Sequence, residues 1–589
     1  MRKILSFILL SFITLSIYSQ QVPIDTLQKH IKYLASEELK GRKAGSEGDS
    51  LAADYIKSYF NKFQPGKAST QHFYLVTDVI AGKENNMQFE GLSFTAGKDF
   101  QPFSFSSSSS AEGPVVFAGF GIVGQSDSLK WDDYNNMDVA GKWVMLLRGD
   151  PEPDNPSSSF IPQSSDRAKA LTAKDKGAKG VLLVSPSSID RTDQTIDISF
   201  DKSVSDSGIP VISITRKTAG AILKLTGSPV DSLEKQMLAS KKPVSFELKG
   251  TLSATTEIIR EKKVSRNIIN IIEGNNPALK DEYIVIGAHY DHLGEGGQGS
   301  GSRVPDTIAI HPGADDNASG VAALIELSRF FSMPENHQAR SLIFIAFGAE
   351  EMGLVGSRYF VDNKIVPSSS IKAMINLDMV GRLGTDGSKS ITIYGTGTFK
   401  EADSILNRAE KEHGFAFKRI ADGYGPSDHS SFYTSGIPVL FLTTGVHTDY
   451  HTPTDIAQSI NFTGLSDVTA LTAGIVEEIV NLPQAPLYVE TGTKRASGHY
   501  GRNLKVTLGI MPDVTGSETQ GGMKVEATRK GAPADRGGML KGDIITAING
   551  MKVSNVYDYM SRLGKLKPGE TVNVEVLRAN KKEILIIQL

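Results

Sequence analysis

The segment from residue 258 to residue 482 alternates short apolar strands with helical stretches. The strand candidates are YIVIGAH, SLIFIAF, IKAMINL and GIPVLFLT, which are apolar almost throughout. The helical stretches include SGVAALIELSRFF and SDVTALTAGIVEEIVNL, in which apolar residues recur with helical spacing. Strands that are apolar on both faces belong to buried, mostly parallel sheets covered by helices. The segment therefore predicts an α/β domain with a mostly parallel central sheet flanked by helices.

Polar side chains of metal-binding type stand where these apolar strands end. The strand YIVIGA runs into His289-Tyr290-Asp291, and SLIFIAF is followed by Glu350 and Glu351. The others are Asp315 and Asp316 in HPGADDNASG, Asp378 after AMINL, and His447 and His451 in HTDYHTPTD. One such residue alone indicates a turn or a helix cap. Their recurrence at successive strand ends predicts one shared site, because the carboxyl ends of parallel strands meet at the edge where ligands bind.

The residue types at these strand ends indicate the metal. One ligand from each of the five places gives two imidazoles and three carboxylates, without a thiolate. This set suits zinc or another borderline divalent ion. The set is too large for one catalytic zinc with its water, but it suits two ions that share a bridging carboxylate. Of the adjacent Glu350 and Glu351, one then binds metal while the other faces the water as general base, since neighbouring side chains on an extended backbone point apart. Asp291 is placed to orient the imidazole of His289.

Residues 258–482 also carry motifs that resemble those of the di-zinc exopeptidases. The motifs are H-Y-D, A-D-D-N-A-S-G, A-E-E-x-G-L-x-G-S, I-N-L-D-M-V-G and Y-H-T-P-x-D. This family is typified by secreted bacterial leucyl aminopeptidases, and glutamate carboxypeptidase II and the transferrin receptor share its fold. The resemblance implies two Zn²⁺ per chain. It assigns His289 and Asp378 to one zinc, Glu351 and His451 to the other, and Asp316 to the bridge between them.

The same resemblance implies the catalytic residues. Glu350 matches the general base, and Tyr450 matches a residue that steadies the tetrahedral oxyanion. The family pattern Asp-x-x-Ser-Gly selects Asp316 over Asp315 as the bridging ligand. It also implies a cis peptide bond between Asp316 and Asn317.

Two further parts of the chain resemble known modules. The stretches WDDYNNMDVAGKWVMLLRGDP, AKDKGAKGVLLVSP and IPVISIT resemble a protease-associated (PA) domain, which is often inserted within this peptidase family. We expect it either to restrict access to the cleft or to pack passively. The stretches TLGIMPD and GAPADRGGMLKGDIITAINGMKV resemble a PDZ domain. Backbone N–H groups near Leu508, Gly509 and Ile510 would then bind the C-terminal carboxylate of a peptide.

The chain of 589 residues is too long for a single core, and these patterns predict its division. The expected fold is a zinc exopeptidase-like α/β domain with a β-rich PA insertion and a C-terminal PDZ domain. The predicted boundaries are a signal peptide at 1–20, an N-terminal part of the catalytic domain at 21–99, the PA insertion at 100–256, the catalytic domain at 257–484, a linker at 485–500 and the PDZ domain at 501–589.

The first residues and the composition predict where the protein works. The sequence MRK followed by ILSFILLSFITLSIYS has the basic and apolar regions of a secretory signal peptide, cleaved near residue 20. The alternative is an uncleaved membrane anchor; after cleavage we expect no stable membrane span. The chain has no cysteine, which excludes disulfides. Its formal charge of -3 disfavours nucleic acid as a partner. We expect an exported protein, periplasmic or extracellular.

The sequence therefore predicts an exported zinc-dependent aminopeptidase, which removes N-terminal residues from peptides by two-metal hydrolysis. One alternative is a carboxypeptidase or dipeptidase of the same fold, because the sequence does not display the pocket that selects the free end. A glutaminyl cyclase, which uses one zinc, is a further enzyme relative. A non-catalytic receptor-like protein that binds peptides is the alternative from another class.

Overall fold

A computed structural model describes residues 22–126, 129–155, 157–200, 205–224, 229–336, 338–363, 365–384, 389–491, 506–512, 521–528 and 531–589. The predicted signal peptide lies outside the described residues, as does part of the predicted linker. Across these ranges, none of the helices combines the length and apolar character that a membrane crossing demands. The described residues form three large sheets, each with its own hydrophobic core.

Apolar residues recur in the helices at the spacing that places them on one buried face. In α1 (Ile24–Leu34), Leu27, Ile31 and Leu34 are fully buried, as their helical spacing predicts. In chain order the other helices are α2 (Glu47–Phe63), α3 (Ile161–Ser164), α4 (Asp166–Asp175), α5 (Arg216–Leu223), α6 (Pro229–Ser240), α7 (Gly320–Phe331), α8 (Val355–Asp362), α9 (Ala402–His413), α10 (His429–Tyr433), α11 (Phe462–Val480), α12 (Pro533–Arg536) and α13 (Val556–Gly564). Short 3₁₀ turns span Glu37–Arg42, Ser368–Ser370 and Ala457–Ser459.

The strands follow the short apolar runs of the sequence. Up to residue 256 they are β1 (Ser69–Ala81), β2 (Asn86–Phe89), β3 (Leu92–Phe94), β4 (Phe100–Pro102), β5 (Ser109–Ala118), β6 (Val123–Gln125), β7 (Lys130–Asp132), β8 (Trp143–Leu147), β9 (Gly180–Val184), β10 (Val211–Ile214) and β11 (Ser245–Thr256). The next are β12 (Ile258–Ile272), β13 (Tyr283–His289), β14 (Ser341–Phe347), β15 (Ile371–Leu377), β16 (Ser390–Tyr394), β17 (Ala416–Ile420) and β18 (Val439–Thr443). The last are β19 (Ile510–Pro512), β20 (Met523–Thr528), β21 (Ile544–Ile548), β22 (Met551–Lys552), β23 (Thr571–Arg578) and β24 (Lys581–Gln588).

The first sheet has the strand order β1-β12-β14-β13-β15-β18-β16-β17. Its centre is parallel, because β13 pairs in parallel with both β14 and β15, and β15 pairs in parallel with β18. Along β13, Ile284 and Ile286 pack into a core that α1, α2, α7 and α11 share, whereas Val285 packs into a core with α8 and α10. The sheet is thus covered on both faces, and the predicted α/β class is confirmed.

The second sheet has the order β3-β2-β11-β5-β8-β9-β10-β4. It begins with β2, upstream of residue 100 where the sequence places the boundary of the insertion. The long strands β1 and β12 of the first sheet flank this insertion in sequence and pair with each other in antiparallel register. The insertion therefore leaves and re-enters the catalytic fold through neighbouring strands.

The third sheet has the order β19-β20-β21-β23-β24, with β22 paired to β21. Its core contains Leu508, Val525, Ile545, Val574 and Ile587. The α13 helix packs on this core through Tyr559 and Leu563, which are buried. This C-terminal unit thus has a hydrophobic core of its own.

Candidate metal centre

The structure brings all five predicted metal ligands to one edge of the first sheet. His289 is the last residue of β13, and Asp378 follows the last residue of β15. The Glu350-Glu351 pair lies just beyond β14, and His451 lies in the loop after β18. The ligands converge because these parallel strands end side by side.

The carboxylate of Asp316 stands between two groups of ligands. Its Oδ1 is 3.3 Å from Nε2 of His289, which is also 3.4 Å from Oδ1 of Asp378. Its Oδ2 is 3.2 Å from Nε2 of His451, which is also 3.2 Å from Oε1 of Glu351. Ligand atoms about 2.1 Å from a tetrahedral zinc lie roughly 3.4 Å from one another. The spacing on each side of Asp316 therefore suits one such ion.

The buried carboxylates of this cluster also favour the binding of a metal. Oδ1 of Asp378 is buried and has no hydrogen-bond partner among the described residues. Burial alone would lower the pKa of His451, but Glu351 and Asp316 raise the pKa to about 11. Burial likewise opposes the charge on His289, yet Asp378 and Glu350 raise the pKa of His289 well above its ordinary value. Such a negative potential attracts divalent cations.

Backbone carbonyls orient both ligand histidines. Nδ1 of His289 lies 3.2 Å from the carbonyl oxygen of Asp291, and Nδ1 of His451 lies 2.9 Å from the carbonyl oxygen of Gly301. Each Nδ1–H donates to its carbonyl, so that Nε2 faces the carboxylates and is the atom that can bind a metal once it has lost its proton.

Asp291 acts on the glutamate pair more than on His289. Its Oδ1 accepts a hydrogen bond from the backbone N–H of Glu350 at 2.9 Å, and its Oδ2 accepts one from the backbone N–H of Glu351 at 3.2 Å. The carboxylate of Asp291 is 3.8 Å from Nδ1 of His289, too far for a hydrogen bond. The carbonyl group of Asp291 thus contacts His289, while its side chain fixes the loop after β14.

The two adjacent glutamates have different surroundings. Burial raises the pKa of Glu350 well above its ordinary value, and the charges of Asp428 and Asp378 add to the effect. Burial also opposes the charge on Glu351, but His451 and His292 beside it hold its pKa below the ordinary value. These surroundings keep Glu351 ionised beside the histidines and give Glu350 the higher proton affinity of the two.

The loop that carries Asp316 is held by side chains from distant parts of the chain. The peptide bond between Asp316 and Asn317 is cis. The buried carboxylate of Asp455 accepts hydrogen bonds from the backbone N–H groups of Asp315 and Asp316, at 2.9 Å and 3.1 Å to Oδ2. Nη2 of Arg382 lies 3.3 Å from Oδ1 of Asp455. These contacts fix the direction in which the side chain of Asp316 leaves the backbone.

Asp315 faces away from the ligand cluster. Its Oδ1 accepts a hydrogen bond from the backbone N–H of Gly381 at 2.6 Å, and its Oδ2 is 3.2 Å from Nε2 of His447. The structure thus places Asp316 between the ligand histidines and directs Asp315 to the loops behind them.

Sequence reasoning missed His292 as a member of the site. This histidine is buried, and its Nδ1 lies 3.1 Å from Oε1 of Glu351 and 3.9 Å from Oδ2 of Asp316. His292, Asp316 and Glu351 could together hold an ion by the spacing of their ligand atoms. The signal was its position directly after His289-Tyr290-Asp291.

Sequence reasoning also missed Arg42, in the polar stretch LKGRKAGSEGDS. Its buried guanidinium donates hydrogen bonds to the carbonyl oxygens of Tyr290, Pro312 and Gly313 at 2.7, 2.7 and 3.0 Å, and also to that of Leu34. Burial lowers the pKa of Arg42 to about 10, against the opposing charges of the metal-site carboxylates. Arg42 therefore joins the backbone on both sides of the cluster. No local sequence pattern distinguishes Arg42 from arginines that lie at the surface.

The remaining predicted residues lie at two places. The ring of Tyr450 stacks on that of His451, with centroids 3.8 Å apart, and burial raises the pKa of its hydroxyl. Leu508, Gly509 and Ile510 lead into β19 of the third sheet. Gly509 has a φ of 73°, in the region that favours glycine, and its N–H donates to Oγ1 of Thr507 at 3.0 Å.

Comparison with known families agrees with this arrangement. Residues 267–476 match the peptidase family M28, residues 111–222 match the PA domain, and residues 506–589 match the PDZ domain. The segment that carries the predicted metal ligands is therefore similar to peptidase family M28. The resemblance to this family and to its two accessory domains is thereby confirmed. So is the expectation of a zinc-dependent metallo-exopeptidase, at the level of the family.

Individual relatives to which the chain is similar are aminopeptidases by name. Aminopeptidase YwaD of Bacillus subtilis is 26% identical over 489 residues, which are 80% of this chain and 88% of the relative. The probable lipoprotein aminopeptidase LpqL of Mycobacterium tuberculosis is 24% identical, over 71% of this chain and 73% of the relative. Among solved structures, BSAP, a zinc aminopeptidase from Bacillus subtilis, is 22% identical with a TM-score of 0.48, covering 79% of this chain and 98% of that one.

Proposed function

We propose that this protein is an exported aminopeptidase that uses two zinc ions to release N-terminal residues from peptides. The observation that carries the proposal is the position of Asp316, whose two carboxylate oxygens lie 3.3 Å and 3.2 Å from Nε2 of His289 and of His451. One carboxylate that reaches two histidine groups is what a two-metal site requires. The aminopeptidase names of YwaD and LpqL support the choice of the free N-terminus.

The residues divide into two groups around Asp316. His289 and Asp378 would hold one ion, and Glu351 and His451 would hold the other, with Asp316 shared. Zinc ions bound there supply Lewis-acid polarisation of the scissile carbonyl and a water of lowered pKa.

We assign the proton transfers to Glu350, whose pKa is raised well above its ordinary value by burial. It would accept a proton from the attacking water and donate it to the nitrogen of the leaving amine. The N–H of Glu350 is held by Asp291, so that its backbone does not move relative to Glu351. Tyr450, stacked beside His451, would donate its phenol proton in a hydrogen bond to the developing oxyanion.

The export part of the proposal rests on the basic and apolar character of residues 1–20. N-terminal sequencing of protein secreted by a heterologous host tests it. We expect a new terminus near residue 20 and recovery outside the cytoplasm. Intact residues 1–20 on cytoplasmic protein would contradict it.

A panel of blocked peptides tests the activity. Zinc-loaded protein is given the same dipeptides with a free N-terminus and an amidated C-terminus, or with an acetylated N-terminus and a free C-terminus. We expect cleavage of the first set only. Cleavage of the acetylated set alone would identify a carboxypeptidase. Cleavage only of dipeptides with both ends free would identify a dipeptidase.

A further inference from the structure

The PDZ domain contacts the PA domain through α13. Arg562, in the last turn of this helix, is almost fully buried, and its guanidinium forms a two-pronged ion pair with the carboxylate of Asp175, including an Nη2–Oδ1 contact of 2.8 Å. Lys565 approaches the same carboxylate to 3.5 Å. Asp175 is the last residue of α4 in the PA domain. A two-pronged pair whose guanidinium is buried and whose carboxylate is partly exposed has defined geometry, and its loss removes the ionic partner of a buried charge.

The other end of α13 makes a second contact with the PA domain. Asn555, which precedes the helix, caps it by accepting a hydrogen bond from the backbone N–H of Asp558 at 2.9 Å. The Nδ2 group of the same Asn555 donates to the carbonyl oxygen of Asp206 at 3.2 Å. Both ends of α13 are therefore attached to the PA domain, which restricts rotation as well as translation of the helix.

Because residues 506–589 match the PDZ domain, we take β19 and α13 as the two walls of its peptide groove. The peptide adds to the edge strand of the sheet beside the helix, and β19 is the terminal strand in the described order. Ile510 on β19 and Met560 on α13 are partly buried apolar side chains at the border of the PDZ core. The Gly509 loop lies at the start of β19. A PDZ groove takes the end of a peptide with a free carboxylate, and here Ile510 and Met560 would contact an apolar last residue.

The opposite wall faces the catalytic domain. Met511 of β19 and Lys541 line a narrow crevice with Arg358 and Asp362 of α8. The Nζ of Lys541 donates to Oγ of Ser435 at 3.0 Å. The α8 helix follows the loop of Glu350 and Glu351. Each wall of the groove is thus in contact with a different neighbouring domain.

We propose that the Asp175–Arg562 contact couples peptide binding in the PDZ groove to the docking of the PA domain. While α13 is attached to the PA domain, the width of the groove is set before the peptide arrives, which lowers the entropic cost of binding. Without the contact, the Arg562 guanidinium keeps its hydrogen bonds to the carbonyl oxygen of Lys552, at 3.1 Å and 2.8 Å, but loses its ionic partner. The last turn of α13 is then no longer attached to the PA domain, and the position of this wall of the groove is less restricted. By linkage, a bound peptide stabilises the docked PA domain to the same extent.

The test uses the full-length protein and N-terminally fluorescein-labelled hexapeptides that end in Val, Leu or Phe, with a free or an amidated C-terminus. The label blocks the N-terminus, so the measurement does not depend on the proposed aminopeptidase activity. Fluorescence anisotropy gives the Kd for the wild-type protein and for Asp175→Ala and Asp175→Asn. The matched control is Glu247→Ala, which removes the PA-domain ion pair with Lys142.

We expect the free-carboxylate peptides to bind the wild type and the control equally, and to bind both Asp175 variants about fivefold or more weakly. Hydrogen exchange should slow in α4 when peptide is added to the wild type, and should not change in Asp175→Ala. An unchanged or lower Kd in the Asp175 variants would overturn the coupling. Equal binding of amidated peptides, or no binding by the wild type, would overturn the assigned ligand and with it the proposal.

Discussion

The imidazole of His292 lies 3.1 Å from the carboxylate of Glu351, Nδ1 to Oε1. Because an ionised carboxylate only accepts hydrogen bonds, Nδ1 must carry the proton and donate it. His292 is therefore a positioning residue for Glu351, which is itself within 3.2 Å of Nε2 of His451. Nothing in the local sequence pattern distinguishes this role from that of a metal ligand.

Substitution of His292 tests this role. We expect His292→Ala to weaken the binding of one zinc ion by about 10–100-fold, since hydrogen-bond partners of metal ligands have effects of this size. His292→Asn places an amide N–H near the position of Nδ1–H and should recover most of the loss. Competition with a chromogenic zinc chelator gives both affinities. If the Asn variant is as weak as the Ala variant, His292 acts as a ligand or by packing, and the positioning role is wrong.

Substitution of Glu350 tests the assignment of the general base. Glu350→Gln retains the size of the side chain but cannot accept a proton, so we expect kcat to fall by about 10²–10⁴-fold. Zinc content, measured by elemental analysis, should remain that of the wild type. The companion variant Glu351→Gln should instead lose zinc. Near wild-type hydrolysis of aminoacyl anilides by Glu350→Gln would contradict the assignment.

Asp455 is expected to support the metal site without touching a metal. Asp455→Ala removes the acceptor of the backbone N–H groups of Asp315 and Asp316, which costs about 1–3 kcal/mol in free energy of unfolding. Zinc affinity should fall as well, because the direction of Asp316 is no longer fixed. Asp449→Ala is the control, since Asp449 also pairs with Arg382, at 3.1 Å, but is partly exposed. Equal effects of the two substitutions would assign the loss to Arg382 rather than to the loop.

Zinc binding is expected to strengthen as the pH rises. The pKa of His451 is raised to about 11 by Glu351 and Asp316, against the effect of burial, so protons occupy this imidazole in the metal-free protein at neutral pH. Binding must release them, because only the neutral imidazole is a ligand. Calorimetry in buffers of different ionisation enthalpy should show proton release, and the affinity should increase from pH 6 to pH 8. The same titrations give the number of ions per chain, for which we expect two. Affinity that is independent of pH would show that His451 is not protonated before zinc binds.

Much of the site can be predicted from the sequence, because its ligands stand at the ends of strands that a local sequence pattern reveals. A strand that is apolar on both faces specifies a buried parallel strand, and a polar residue at its carboxyl end is then placed at the edge of the sheet. His289 and Asp378 are of this kind. The choice of Asp316 over Asp315 came from a family pattern, and in the structure Asp316 is the one that stands between the ligand histidines. The nitrogen and oxygen ligands by themselves indicate zinc or another borderline divalent ion.

The contacts that orient the ligands were decided by the tertiary structure. Arg42 and Gly313 are far apart in the chain, as are Asp455 and Asp316, and no periodicity relates such pairs. The side chain of Asp291 was expected at His289, but the course of the backbone after β14 turns it to the N–H groups of Glu350 and Glu351. Hydrogen bonds depend on direction as well as distance, so neighbours in sequence do not predict them.

The sequence by itself thus determined the α/β fold, the family, the ligand types and the strand ends on which they stand. All of these depend on residue type and short-range spacing, which a single chain displays directly. Only the tertiary structure decided which carboxylate contacts which imidazole, that His292 joins the site, and that Arg562 of the PDZ domain pairs with Asp175 of the PA domain. Those contacts arise when distant segments pack together, and packing depends on the whole fold rather than on any one segment.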